Sequence, residues 1–458
     1  MLDELAGLLH APLYLVGGSV RDLVLGKDIS DLDFTTILRP DEVLDALTAW
    51  ADATWETGVE FGTVALEKNG VKLEITTFRA DLYDGVTRNP EVQFGTTLDD
   101  DLVRRDFTVN AMALEIVPGG EPVFHDPLGG LSALAAGVLD TPQAPEVSFR
   151  DDPLRMLRAA RFLSQLGGYG ATHAGFTVAE RVVTAMTAMA GEIERITAER
   201  IQAELDKMML GVRPEAGIEL LVSTGLADFV LPDVAALKAV GDEHGQHKDI
   251  YQHSLTVLRQ AIDQEEEPDL ILRWAALLHD IGKPATRKYV DGAVTFHQHE
   301  IVGARLVRTW MRRLKYPKHM TGDVSELVAL HMRFHGFGDG EWTDSAVRRY
   351  VTDAGELLPR LNKLVRADST TRNKRKAAWI QRSYDELEAR IADLKAREDL
   401  AKVRPDLDGN EIMEILGVPA GPIVGRAWKY LKDVRLNRGP LDHDEAIAVL
   451  QAWWKEQQ

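Results

Sequence analysis

The stretch from Leu15 to Phe34, LVGGSVRDLVLGKDISDLDF, constrains the fold more tightly than any other. An apolar, β-prone segment turns at two glycines and a serine, passes through a helical pattern and returns as a second short apolar segment. That second segment holds Asp31 and Asp33, one residue apart. In an extended strand residues i and i+2 point to the same side. The two carboxylates therefore face one point, which suits a hard cation such as Mg²⁺. Gly17, Gly18 and Ser19 can bring bare backbone N–H groups and a hydroxyl to a phosphate at a helix N-terminus. A phosphate cradle beside a metal-binding Asp-x-Asp is the minimal equipment for nucleotidyl transfer. Either half alone is weak, because GGS is a turn in most proteins and a lone D-x-D is usually a solvated loop.

Around this stretch, residues 1–140 read as mixed α/β. Strand candidates are Tyr14–Val16, Leu32–Thr35, Thr63–Leu66, Val71–Phe78, Val109–Glu115 and Pro122–Phe124, with a helix over Asp41–Ala51 after Pro40. From about Phe149 the pattern is helical almost to the end. Breaks at Thr141–Pro145, Leu210–Gly217 and Gly241–Asp249 divide it. The organisation expected is a head over 1–140, a helical neck over 141–220, a helical metal domain over 221–370 and a helical tail over 371–458. A chain of 458 residues has room for about three domains. It has no cysteine, which excludes disulfides and thiolate zinc sites and fits the cytoplasm. No apolar run approaches the ~18 residues of a membrane span, and the acidic N-terminus lacks the basic region of a signal peptide. A net charge of −19 speaks against a broadly basic nucleic-acid surface. RNA binding then needs a local patch, and Thr371–Lys376 (TRNKRK) with Arg366 is the candidate.

The order G-G-S-x-x-R-D then D-x-D is far more specific than its parts. With Arg21 and Asp22 it resembles the head of the bacterial and eukaryotic class of tRNA nucleotidyltransferases (CCA-adding enzymes) and bacterial poly(A) polymerases, within the DNA polymerase β superfamily. The resemblance implies a polymerase β-like mixed sheet with Asp31 and Asp33 holding Mg²⁺. It implies a third carboxylate on a neighbouring strand, for which Glu74 in VKLEITTFR is chosen, against the equal chance of an ordinary polar strand residue. The loop DLYDGVTRNPEVQFG matches the family's mobile loop. The run LVRRDFTVNAMAL matches the family signature RRDFT-x-NA, so Arg104, Arg105, Asp106 and Asn110 are carried over as nucleotide-binding. Guanidinium groups match phosphate oxygens bidentately, and a carboxylate accepts from ribose hydroxyls. HDPLGG, His125–Gly130, is assigned a structural turn.

In SFRDDPLRMLRAARF, Asp152 and Arg155 stand three residues apart, as neighbours on one helix face would. A carboxylate beside a guanidinium can read cytosine or adenine, each offering an amino donor next to a ring acceptor. Uracil and guanine oppose a carbonyl to the carboxylate. An unpaired buried polar group costs about 1–3 kcal/mol, or roughly 10- to 200-fold in discrimination. The family's E/D-D-x-x-R motif carries this role, with Asp151 here in place of the usual Glu. The bland alternative is a surface ion pair worth a few tenths of a kcal/mol. Further on, Glu199, Arg200 and Glu204 in ITAERIQAELDKMML resemble the last family motif and read as a brace for the neck.

A second constellation follows: His253, His279 and Asp280 in LLHDIGK, His299, His331 and Asp368. Imidazoles and carboxylates suit a divalent metal, and an adjacent His-Asp in an apolar helix is costly unless satisfied. The ordered set resembles the HD phosphohydrolase superfamily, an all-helical fold, which implies a metal of unspecified identity and phosphatase or 2′,3′-cyclic phosphodiesterase chemistry. His297 and His335 are alternative ligands. The expected function is template-independent addition of C, C and A to tRNA from CTP and ATP. The alternatives are a poly(A) polymerase, an enzyme adding only C or only A, and, from another class, an HD phosphohydrolase whose head is a regulatory nucleotide sensor.

Overall fold

The computed structural model describes the chain except residues 30, 57, 79–93, 169–174, 240–248, 291–292, 335–342, 371–373 and 399–402. The family's loop after Arg79, the break before Asp249, His335 and the start of the basic patch at Thr371 thus lie outside the described residues. The chain divides into two compact units, Met1–Ala235 and Ala236–Gln458.

The first unit is built on a seven-stranded mixed sheet, with strands β1 (Leu13–Val16), β2 (Asp31–Thr36), β3 (Ala53–Trp55), β4 (Thr63–Lys68), β5 (Val71–Thr77), β6 (Ala113–Glu115) and β7 (Val123–His125). Their order is β3-β4-β5-β2-β1-β6-β7. Only β2 and β5 pair in parallel; the other neighbours run antiparallel. Alternation sets the two faces. Val64 and Leu66 on β4 and Leu73 and Ile75 on β5 are buried while their neighbours look outward. Asn69 and Gly70 take positive φ (53° and 76°) in the two-residue turn between β4 and β5, as an Asn-Gly hairpin requires.

Several local expectations shift, and one short strand is new. The helix after Arg39 covers Pro40–Leu47, not Asp41–Ala51, and the amides of Trp50 and Ala51 turn back to the Leu47 carbonyl. The segment read as a strand from Val109 pairs only from Ala113. Thr108–Asn110 forms a 3₁₀ turn because the Asn110 side chain is drawn inward by Asp106 and Arg21. The three-residue β3 carries too little pattern to be read in advance. Asp152 does not share a helix with Arg155: it sits in extended conformation in the break between helices Pro145–Asp151 and Leu154–Gln165.

The helix Leu154–Gln165 packs on the segment before the 3₁₀ turn through the edge-on pair Phe107 and Phe162, ring centroids 5.7 Å apart and both buried. The motif Asp126–Gly130 is structural, as expected. Both Asp126 oxygens accept backbone amides, from Gly130 at 2.6 Å and Leu131 at 3.0 Å, and a Cβ on Gly130 would lie 2.4 Å from the Thr108 carbonyl.

Among its described residues the second unit is helical apart from one strand pair, Lys288–Val290 with Ala293–Thr295. The helix Lys374–Arg397 packs one side inward through Tyr384 and Leu387. Arg366 anchors it with Asp385 at 2.8 Å and Glu388 at 2.9 Å. The last three helices close on their own cluster of Leu407, Ile412, Ala427, Leu431, Ala446 and Leu450. Among the described residues no helix is long and apolar enough to cross a membrane.

Candidate active site and metal centre

The parallel pairing of β2 and β5 sets Asp33 directly opposite Glu74, with Asp31 one step away on the same face. Three carboxylates thus share one side of the sheet, and Asp33 and Glu74 line one cavity of about 310 Å³ with Arg104, Arg105 and Arg155. Burial first, then the facing Glu74 and the nearby Asp31, push the Asp33 pKa up against the pull of Arg105 and Arg158. Crowded carboxylates of this kind are the donor set a Mg²⁺ ion takes, so these residues fit the metal.

The turn ahead of the strand is arranged around Arg105. Gly17 has φ 68°, a conformation that suits glycine. A Cβ there would stand 2.8 Å from Arg105 Nη1. Arg105 is aimed by Asp101, whose Oδ2 accepts from Nη2 at 2.9 Å. Ser19 has another duty than a phosphate contact: its buried hydroxyl donates to the Asp31 carbonyl and accepts from the Asp33 amide, both at 3.1 Å. It fixes the start of β2 against the helix Gly18–Val24.

Arg21, Asp106 and Asn110 meet one another in a buried chain. Arg21 Nη1 donates to Asn110 Oδ1 at 2.8 Å, and Asn110 Nδ2 donates to Asp106 Oδ1 at 2.9 Å. The other Asp106 oxygen accepts from Arg158 Nε at 2.6 Å. Arg21 also forks onto Asp22. Burial works against the Asp106 charge, yet Arg158, Asn110 and the Phe107 amide bring its pKa down to about 2. Arg158 was not singled out from the sequence; its place one turn beyond Arg155 was the available signal.

Arg155 enters the cavity with its guanidinium held by the Arg104 carbonyl at 2.7 Å and the Ser148 hydroxyl at 2.8 Å. Asp152 Oδ1 caps the helix by accepting from the Leu154 amide at 3.1 Å, and Oδ2 accepts from Arg200 at 2.9 Å. Of the residues read as a neck brace, Glu204 pairs with the buried Arg161 at 3.0 Å, while Arg200 reaches Asp152 at 2.9 Å.

In the second unit the six expected ligands converge. Two groups, His253 with His279 and Asp368, and Asp280 with His299 and His331, each bring ligand atoms within 4.8 Å of one another. Asp280 joins them: Oδ2 stands 3.2 Å from His279 Nε2, and Oδ1 stands 3.3 Å from His299 Nε2. His279, His299 and His331 each place Nδ1 on a backbone carbonyl at 2.7–2.9 Å, so Nε2 faces the cluster. The His-Asp pair lies just past the end of helix Leu270–Leu278, not inside it. Burial would raise the Asp280 pKa, but His279, His299 and Lys283 hold it well below the carboxylate range. Lys283, which no sequence pattern singled out, is 2.6 Å from Asp280 Oδ2. His297, the alternative ligand, is exposed and stands outside both groups. A donor set of four imidazoles and two carboxylates fits divalent transition metals.

Comparison with known proteins matches the head, the neck region and the helical metal domain. Residues 13–140 match the poly(A) polymerase head domain, 175–238 a probable RNA and SrmB-binding site of polymerase A, and 250–373 the HD domain. The A-adding tRNA nucleotidyltransferase of Deinococcus radiodurans is 33% identical over 449 residues, 96% of this chain and 95% of that one. A CCA-adding enzyme of a Geobacillus species is 28% identical over 435 residues, 95% and 91% of the two chains. In fold, the chain resembles the Bacillus stearothermophilus CCA-adding enzyme solved with CTP, with a TM-score of 0.68 and 24% identity across all of this chain and 96% of that one.

Proposed function

From the premise that this chain belongs to the tRNA nucleotidyltransferase family with a poly(A) polymerase head, we propose that it adds C, C and A to tRNA 3′ ends in the cytoplasm, without a template, from CTP and ATP. The observation that carries the reading is one cavity holding Asp33, Glu74, Arg105 and Arg155 together. Carboxylates, triphosphate-binding cations and a base reader are the parts this reaction needs.

Asp31 and Asp33 would hold the Mg²⁺ ion, which would supply charge neutralisation at the reacting phosphate. The chain's own groups do the rest. Arg104 and Arg105 take the triphosphate, and Arg105 neutralises the departing pyrophosphate as the primer 3′-hydroxyl attacks the α-phosphate. Glu74 completes the acidic face. Arg155 donates to the ring acceptor of cytosine or adenine while Asp152 accepts from its amino group. Positioning and electrostatics carry most of the rate. In this reading the head covers 1–140 and the neck 141–220, with a tail from 371 that meets the tRNA body.

For the second unit we propose a metal-dependent phosphohydrolase, supported by the two ligand groups bridged by Asp280. His253, His279, Asp280, His299, His331 and Asp368 would hold the metal, which would supply a water of lowered pKa and positive charge for a phosphate.

The 33% identity to an A-adding relative over nearly the whole chain favours a second reading, addition of the terminal A alone. The test uses the full chain, Mg²⁺ and tRNAs ending before CCA or after CC. Two C residues from CTP alone, then one A with ATP, support CCA addition. A single A on the CC-ending tRNA, with no use of CTP, establishes the A-adding reading instead. Long A tails on any RNA would make it a poly(A) polymerase.

A further inference from the structure

The two base readers are held by different parts of the unit. Arg155 is fixed by the Arg104 carbonyl and by Ser148. Asp152 lies in the extended break before its helix, where only Oδ1 is engaged locally, by the Leu154 amide at 3.1 Å. Its second oxygen is held from 48 residues away, by Arg200 Nη2 at 2.9 Å, on the helix Ala198–Met209. Arg200 keeps about half of its side chain exposed and Asp152 about a third, so the pair contributes little to folding.

We propose that Arg200 is a specificity-determining positioning residue: by pinning one oxygen of Asp152 it fixes the direction of the acceptor that tells amino-bearing bases from carbonyl-bearing ones. The inference rests on the base-reading role of Asp152 and Arg155. A carboxylate in extended backbone can rotate about χ1 and χ2. Pinned, it meets the O4 of uracil acceptor against acceptor, and uracil is rejected. Released, it turns to water and leaves the space, so the clash disappears while Arg155 still donates. The spacing between the two readers is therefore set by how the Ala198–Met209 helix stands against the Arg104 segment, both within the first unit.

The test measures kcat/KM for single additions of CTP and UTP to a tRNA lacking CCA, in wild type, Arg200→Ala, Arg200→Lys, Asp152→Ala and the Asp152→Ala/Arg200→Ala double variant. The expected result is a CTP-over-UTP preference about three- to tenfold lower in Arg200→Ala, the range in which a half-exposed ion pair steers a discriminating contact. The lysine variant recovers much of that loss. The double variant discriminates no worse than Asp152→Ala alone. A merely structural brace would lower the melting temperature and slow both nucleotides equally. Unchanged preference in Arg200→Ala, with preference lost in Asp152→Ala, overturns the inference and leaves the base-reading assignment standing. Unchanged preference in Asp152→Ala overturns both.

Discussion

Replacing Asp106 with asparagine tests whether the buried chain from Arg21 to Arg158 holds the head and neck together. The side chains are nearly isosteric, so packing is preserved. The carboxamide oxygen can still accept from Phe107 and Asn110, but its amino group then faces the Arg158 donors. The wild-type carboxyl lies at about 2 against an ordinary 3.8, and at about 1.4 kcal/mol per unit the interactions favouring its charge stabilise the fold by about 2 kcal/mol. Asp106 is only 7% exposed, so that figure needs little discount. Arg158 keeps a third of its side chain in contact with solvent and can turn to water, so the loss stays below the ~3–5 kcal/mol of a fully buried broken pair. For a unit of this size ~2 kcal/mol corresponds to a fall of about 4–8 °C in melting temperature, read by calorimetry on the full chain. Because the folded pKa is depressed, the contribution is complete above the unfolded pKa and is lost as pH falls from about 4 toward about 2, so the gap between wild type and Asp106→Asn narrows across that window. Arg158→Met should cost a similar amount, and the double variant little more than either. The rival role, acceptance from a ribose hydroxyl, has its own signature in the relative use of CTP and 2′-deoxy-CTP. An unchanged melting temperature with lost discrimination between those two nucleotides would refute the reasoning.

Other outcomes follow from the same geometry. Asp31→Ala should abolish nucleotide addition, a loss of at least about a thousandfold, while the phosphatase activity proposed for the second unit persists; addition that survives removes Asp31 from the catalytic set. Gly17→Ala places a Cβ 2.8 Å from Arg105 Nη1 at φ 68° and ψ −135°, so we expect roughly 1–3 kcal/mol of strain and a raised KM for both nucleotides, and steady-state kinetics with normal values would show that Arg105 does not need this passage. His279→Ala should reduce bound divalent metal, counted by mass spectrometry, and leave CTP addition unchanged; full metal content would place the ion elsewhere.

The parts of the site that were legible in the sequence are those whose chemistry is written locally. Asp31-x-Asp33 needs only a strand's two-residue period, and the Asn69-Gly70 turn announces the hairpin that carries Glu74. The six candidate metal ligands were legible because each is a residue type that is costly to bury without a partner. What stayed hidden is the division of labour among charged groups that meet from distant segments. Asp106 and Arg158 are 52 residues apart, and Asp152 and Arg200 are 48 apart. Nothing in local spacing says which arginine takes which carboxylate. The same ignorance explains the reading of Asp152 and Arg155 as one helix face, since the extended backbone at Asp152 depends on Pro153 opening a new helix. Ser19 marks the boundary between the two kinds of information. Its presence after two glycines was visible, and a phosphate contact was the simplest use for its hydroxyl. The fold commits that hydroxyl instead to the Asp31 carbonyl and the Asp33 amide. The glycine turn and the acidic strand are thereby locked at a fixed separation, so the elements expected to grip the triphosphate and the metal cannot drift apart between one addition and the next.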